Sequence, residues 1–190
     1  MSGMMAACRP VCPSLPVSRT PLIRIARMPT SVRDGNLMLR ALTILDCPFL
    51  QAMFRNDQAV KSGRMRRRTS GSWISFWWRV RKTFPVAYCI ECDAKRIGFI
   101  GLYDLALRER GRMSLVISDG NLRRKGYGSR AAGILMGALK NQRFVRTIIV
   151  EVEADNHGSL SFWRKIGFGE EQHLPGKIVM YLDLLVSGGP

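Results

Sequence analysis

Acidic residues are scarce in this chain: 14 Asp and Glu stand against 30 Lys and Arg in 190 residues, a formal charge of +16. That deficit argues against cationic partners and favours polyanionic ones, such as nucleic acid, anionic membranes or phosphorylated small molecules. Histidine is scarcer still, with only His157 and His173, and these are not spaced as metal ligands. The five cysteines (Cys8, Cys12, Cys47, Cys89, Cys92) are odd in number and irregular in position. This excludes the paired framework of a small secreted domain and fits a reducing interior. Cys89 and Cys92 form a C-x-x-C, but a zinc site needs a second ligand pair, so no metal is expected. On a strand their offset of three turns them to opposite faces, as small core residues. Every apolar stretch is broken well short of the roughly 20 residues that span a bilayer, so no transmembrane helix is expected and a cytoplasmic location is.

What is present is ordinary for one folded unit of this length: 46% apolar residues and 8% aromatics. Residues 1–35 are the exception. Five arginines, several Ser and Pro and no acid before Asp34 leave little surface to bury, so the segment reads as a basic, disordered tail. Its Arg-rich, acid-poor composition loosely resembles a transit peptide, although prolines 10, 13, 16 and 21 interrupt most amphipathic helices. A start codon assigned too far upstream is the other reading. The folded domain is expected over residues 36–186.

Within that domain a short strand (37–42) leads to Thr43-Ile-Leu-Asp46, a capping-box-like start to a helix reaching about Arg55. A second helix over 72–82 carries Trp73, Phe76, Trp77 and Val80 on one face. Strands follow over 86–92 and 97–103, joined across residues 93–96 as a hairpin, and another runs over 112–118 to the turn residues Asp119-Gly120-Asn121. A glycine-punctuated loop, a helix (127–140) with Ala131, Ile134, Leu135 and Ala138 inward, a strand (147–153), a helix (157–165) and two closing strands complete an α/β order.

The strongest local signal is Arg123-Arg124-Lys125-Gly126-Tyr127-Gly128, followed by Ser129, after a strand and at the opening of a helix. Unpaired N–H groups and the dipole at a helix N-terminus bind phosphate, and glycine lets it approach the backbone. Taken alone, the hexad is equally a glycine turn before a plain helix. Some thirty residues on, the strand Ile-Ile-Val-Glu151-Val-Glu153 precedes Asn156-His-Gly-Ser159-Leu-Ser-Phe162-Trp163-Arg-Lys165-Ile-Gly167-Phe168. Together the two segments resemble the GNAT superfamily of N-acetyltransferases, in which an R/Q-x-x-G-x-G/A loop and helix are followed by a strand and N-x-x-[AS]-x-x-[FL]-[YW]-x-K-x-G-F.

That resemblance implies an α+β fold with a mixed, splayed central sheet, acetyl-CoA as cosubstrate, and direct attack of an amine on its thioester. It implies that Leu115, Val116 and Ile117 pair with the pantetheine arm, that residues Arg123 to Ser129 receive the pyrophosphate, and that Asn156 bonds near the pantetheine end. Glu151, five residues before Asn156, matches the general-base position of relatives that acetylate ribosomal-protein N-termini, with Glu153 on the same strand face as substitute. A strand carboxylate paired with a surface arginine is the plainer reading of Glu151. The chain departs from the family where many members place a Tyr proton donor and it has Trp163, which has no titrating proton near neutrality. Some members carry a Glu where it has Arg112 or Met113.

Phe54-Arg55-Asn56-Asp57, with Ile97-Gly-Phe-Ile-Gly-Leu-Tyr103, resembles the branch of ribosomal-protein N-terminal and nucleotide-linked amino-sugar acetyltransferases. Arg55, Asn56 and the run Arg66, Arg67, Arg68 are the expected acceptor contacts. Nine basic residues and one acid between Arg55 and Lys82 suit an anionic small molecule or a ribosome-associated protein acceptor, although such a run is also a common solvated face. The competing classes are a nucleic-acid-binding protein, argued from charge and Trp73, Phe76, Trp77 and Trp78, and a catalytically weak CoA-binding regulator, argued from Trp163.

Overall fold

Strands built from β-branched and aromatic residues alternate with amphipathic helices in the computed structural model, which describes residues 28–56 and 73–185. The elements run β1 (Ser31–Asp34), β2 (Leu37–Ala41), α1 (Cys47–Asn56), α2 (Trp73–Thr83), β3 (Val86–Cys92), β4 (Lys95–Ala106), β5 (Arg110–Ile117), α3 (Tyr127–Asn141), β6 (Thr147–Glu153), α4 (His157–Lys165), β7 (Gly169–Leu174) and β8 (Lys177–Asp183). One sheet holds all eight strands in the order β1-β2-β3-β4-β5-β6-β8-β7, antiparallel except where β5 meets β6.

That exception shapes the molecule. The parallel pairing covers only Arg110, Gly111 and Arg112 against Thr147, Ile148 and Ile149. Beyond it β5 stays bonded to β4 as far as Ile117, and β6 stays bonded to β8 as far as Glu153. The two halves of the sheet therefore part, and the expected splay lies between the ends of β5 and β6.

Two apolar layers hold the sheet. On one face Ala131, Ala132, Leu135 and Leu139 of α3 and Leu160 and Trp163 of α4 pack on Met113, Ile148, Val150 and Met180. On the other, Cys47, Leu50 and Met53 of α1 and Phe76 and Val80 of α2 pack on Ala87, Cys89 and Phe99. Cys89 and Cys92, both buried, belong to these opposite layers, as their offset of three requires. Phe76 and Val80 are core residues and Trp77 packs against their layer, whereas Trp78 is exposed, so Phe76 and Trp77 serve packing rather than base stacking.

Between β3 and β4 the turn is tighter than expected: Cys92 pairs with Lys95, and Asp93 and Ala94 take φ of 49° and 62°, the left-handed pair that a two-residue hairpin needs. The start of the domain also needs correction. Residues 31–34, assigned to the tail, form β1, joined to β2 through Gly35 and Asn36. Upstream, Met28 is buried and Tyr88 Oη donates to Pro29 O at 2.6 Å. Composition alone hides this strand, because Val32 is its only apolar residue; its pairing comes from the hairpin and from Arg130. That guanidinium donates through Nε to Asp34 Oδ2 (3.0 Å) and through Nη1 to Asn36 Oδ1 (3.1 Å), clamping α3 to the β1–β2 turn.

Candidate active site

The loop after β5 brings the predicted phosphate residues together at the open end of the splay. A short 3-10 turn (Gly120–Leu122) is capped by Asp119, whose carboxylate accepts from the Asn121 N–H at 2.8 Å. Arg123 then turns back, its Nε donating to Ile117 O at 3.2 Å, which ties the loop to the strand end. Arg124 and Gly126 have φ of 62° and 83°, and Gly126 is the N-cap of α3 with no side chain capping the first turn. The leading N–H groups of α3 therefore have no side-chain acceptor, the condition under which a helix end takes an anion. A Cβ built on Gly126 meets no atom within 4 Å, so space lies open above the loop. On Gly128 a Cβ would sit 3.4 Å from Leu115 Cδ2 and from Phe162 Cε2; this glycine lets α3 seat against β5 and α4. Lys125 is exposed and Ser129 half-buried. Tyr127 stands near Cys92 of the β3–β4 hairpin, whose thiol raises its phenol above the usual range.

Along the inner edge of β5 the alternation of the ladder decides which backbone groups are available. Ser118 N–H donates to Ile97 O at 2.8 Å, so Ser118, Val116 and Ser114 turn their backbone to β4, while Met113, Leu115 and Ile117 turn theirs to the gap. The carbonyl of Val116 lies against Gly98 in β4, which removes Val116 from the set of three expected to pair with an arm in the gap. Ile117 O already accepts from Arg123, leaving Leu115 as the residue whose N–H and C=O both face the opening.

Across the gap, Asn156 caps α4: its Oδ1 accepts from the Ser159 N–H at 3.1 Å. Its amide N–H donors make no bond among the described residues. Trp163 is wedged between the Phe162 and Phe168 rings, edge to face at 4.8 and 5.0 Å, and is buried. It serves the core under α4.

Glu151 faces away from α3 and α4, since its neighbours Val150 and Val152 are the ones buried in that layer. Its Oε1 is paired with the Arg112 guanidinium, and Lys177 Nζ stands 3.5 Å from its Oε2. Arg112 also reaches Asp104 Oδ2 at 3.4 Å through Nε. The result is a row of alternating charge, Asp104, Arg112, Glu151, Lys177, across four neighbouring strands at the root of the splay. Sequence reasoning singled out Glu151 and noted Arg112 only as a departure; neither Lys177 nor Asp104 carried a signal, because their closeness depends on register between strands far apart in the chain. The side chains of Arg55 and Asn56, and Arg66, Arg67 and Arg68 altogether, lie outside the described residues.

The sequence model of the acetyltransferase (GNAT) domain matches residues 36–169. The chain belongs to the GNAT family. It is accordingly an acetyl-CoA-dependent N-acetyltransferase, and its loop and gap suit that cosubstrate: an uncapped helix start, open space over Gly126 and an unpaired strand edge at Leu115. Solved GNAT structures share the fold. The Salmonella typhimurium acetyltransferase that modifies the N-terminal serine of ribosomal protein L7/L12 aligns at 16% identity and TM-score 0.64, over 82% of this chain and 98% of that one. The microcin C7 self-immunity acetyltransferase MccE, solved with acetyl-CoA and AMP, aligns at 13% and 0.66, over 84% and 99%. Spermidine N-acetyltransferase from Vibrio cholerae aligns at 18% and 0.64, over 80% and 95%. No curated protein matches, and among the described residues no helix of this GNAT chain is long and apolar enough to cross a membrane.

Proposed function

We propose that this chain acetylates a primary amine on an anionic or RNA-associated acceptor, either the N-terminus of a ribosome-associated protein or a nucleotide-linked amino sugar, with Glu151 as general base. The observation that carries this reading is the position of Glu151, two residues past the last β5–β6 pair and on the sheet face that α1 and α2 share. Acetyl-CoA supplies the acetyl group as a thioester that the amine attacks directly. The loop from Arg123 to Ser129 binds its pyrophosphate through the α3 N–H groups and the cations Arg123, Arg124 and Lys125. Leu115 and Ile117 line the arm, and the Asn156 amide donates to it. Glu151 takes the proton that the attacking nitrogen must lose, directly or through one water. Because a cation stands at each oxygen, it must release Arg112 or Lys177 to do so, or use a lone pair neither occupies.

The acceptor class follows from charge. A formal +16, with Arg112 and Lys177 beside the base, repels a polyamine and attracts an anion. Of the solved relatives, one is described as acting on a ribosomal-protein N-terminus, one as holding AMP and one as a spermidine acetyltransferase, so charge and not likeness carries that preference. The test is an acceptor screen that follows thiol release from acetyl-CoA. Ribosomal-protein N-terminal peptides or nucleotide-linked amino sugars should turn over faster than spermidine; a preference for spermidine would overturn the acceptor class.

A further inference from the structure

A second cationic site lies at the far end of α3. Fifteen residues of helix, about 22 Å at 1.5 Å per residue, separate the phosphate loop from a cavity of about 640 Å³ lined by Leu107, Arg108, Arg143, Phe144, Arg146 and Leu185, among others. Three strand-end segments meet there and are locked by backbone bonds: Arg108 N–H to Phe144 O (2.9 Å), Arg146 N–H to Glu109 O (2.9 Å) and Leu184 N–H to Arg146 O (2.8 Å). Arg146 is paired with Asp183, Nε to Oδ2 at 3.0 Å. Arg108 and Arg143 make no ion pair or side-chain hydrogen bond among the described residues, and both take left-handed backbone, at φ of 65° and 46°. An arginine pays for that conformation where Asn or Gly would not.

We propose that this cavity is a binding site for a phosphate ester on an organic body, the chemistry of a nucleotide, whether free or part of an RNA strand. Arginine suits phosphate because its planar fork donates two parallel bonds, and the same plane stacks on a base. The volume lies within the range of small-ligand sites, and Leu107 and Leu185 supply apolar wall. The C-terminus of α3 opposes an anion with the equivalent of about half a negative charge. Its last carbonyls, however, are already bonded, Ala138 O to Gln142 N–H and Leu139 O to Phe144 N–H, and two guanidiniums with no partner among the described residues outweigh that remnant. This site is independent of acetyl transfer.

The test uses the full chain saturated with CoA, so that the phosphate loop is filled. Binding is measured by calorimetry with AMP and by anisotropy with a fluorescein-labelled twelve-residue oligouridine. The variant is Arg108→Asn/Arg143→Asn, since Asn tolerates the left-handed backbone, and the charge-matched control is Arg33→Asn/Lys95→Asn, two exposed residues away from the cavity. The expected result is a loss of at least tenfold in affinity for one probe or both in the cavity variant, and a change under about twofold in the control. For the oligonucleotide, losing two phosphate contacts should lower the slope of log K against log salt by about 1.4. AMP binding without oligouridine binding identifies a free nucleotide; oligouridine binding that AMP displaces identifies an RNA strand. Equal affinities in parent and cavity variant, an equal loss in the control, or binding of neither probe would overturn the proposal.

Discussion

Arg112 and Glu151 form an ion pair that crosses the sheet where β5 and β6 cease to touch: Arg112 is the last β5 residue in the parallel register, and Glu151 lies two residues beyond its partner Ile149. The pair stands at the root of the splay, and the proposed function makes its carboxylate the base. Glu151→Gln should therefore lower kcat by roughly 10²-fold if it is the sole base, with the affinity for acetyl-CoA unchanged. An α-amino group titrates near 7.7 to 8.0 and asks less of a base than a lysine near 10.4, so the loss should be larger on a lysine acceptor. A kcat and pH–rate profile equal to the parent's would transfer the role to Glu153, which has no ion pair among the described residues.

Arg66, Arg67 and Arg68 should act on the acceptor and not on the cosubstrate. Their triple replacement by Ala should raise the acceptor KM at low salt, and the difference should shrink as ionic strength rises and screens the charge. Steady-state kinetics at two salt concentrations checks this; an acceptor KM that does not move makes the run a solvated face.

Much of this was legible because GNAT chemistry rests on backbone placed by local signals. Gly126 and Gly128 mark the loop, Asn156 the cap of α4, and the alternation Ile148, Val150, Val152 fixes which way Glu151 faces. What escaped depends on tertiary register. The β1 strand has a single apolar residue and is held by Arg130 from 96 residues away. The difference between Val116 and Leu115 is one of backbone parity, set by where Ser118 bonds to Ile97. Lys177 reaches Glu151 only because β8 pairs with β6.

A buried ion cluster predicts acid sensitivity. Asp46 is fully buried and accepts from Arg40 at 2.9 and 3.1 Å and from Thr43 N–H at 2.8 Å. Burial alone would raise its carboxyl, but the Arg40 and Thr43 bonds outweigh burial and hold it below the usual range. A depressed carboxyl contributes its full stability above the unfolded value, about 3.9, and loses it as pH falls through the folded value. Asp46→Asn should cost about 2 kcal/mol at pH 7 and flatten the fall in stability below about pH 4, as read by urea unfolding. Parallel curves for parent and variant would exclude the cluster as the acid-labile element.

Buried thiols predict chemical inertness. Burial pushes the Cys89 thiol up to about 12 and raises that of Cys47, and the thiolate is the reactive form. Native iodoacetamide treatment at pH 7.5 followed by peptide mass spectrometry should leave both unmodified until denaturant is added. Alkylation of either in the native protein would contradict the packing of the α1–α2 layer.

The phosphate loop is tested most directly by calorimetric titration of acetyl-CoA into the parent and into Gly126→Val. A side chain there meets left-handed backbone at φ of 83° and projects into the open space above the first turn of α3, so it adds strain of about 1–2 kcal/mol and obstructs the approach of a pyrophosphate. The expected result is saturable binding to the parent and at least a tenfold loss in the variant, with the variant still folded by circular dichroism. Undiminished binding to a folded Gly126→Val, or no binding to the parent, would contradict the assignment of the splay and its loop as the acetyl-CoA site.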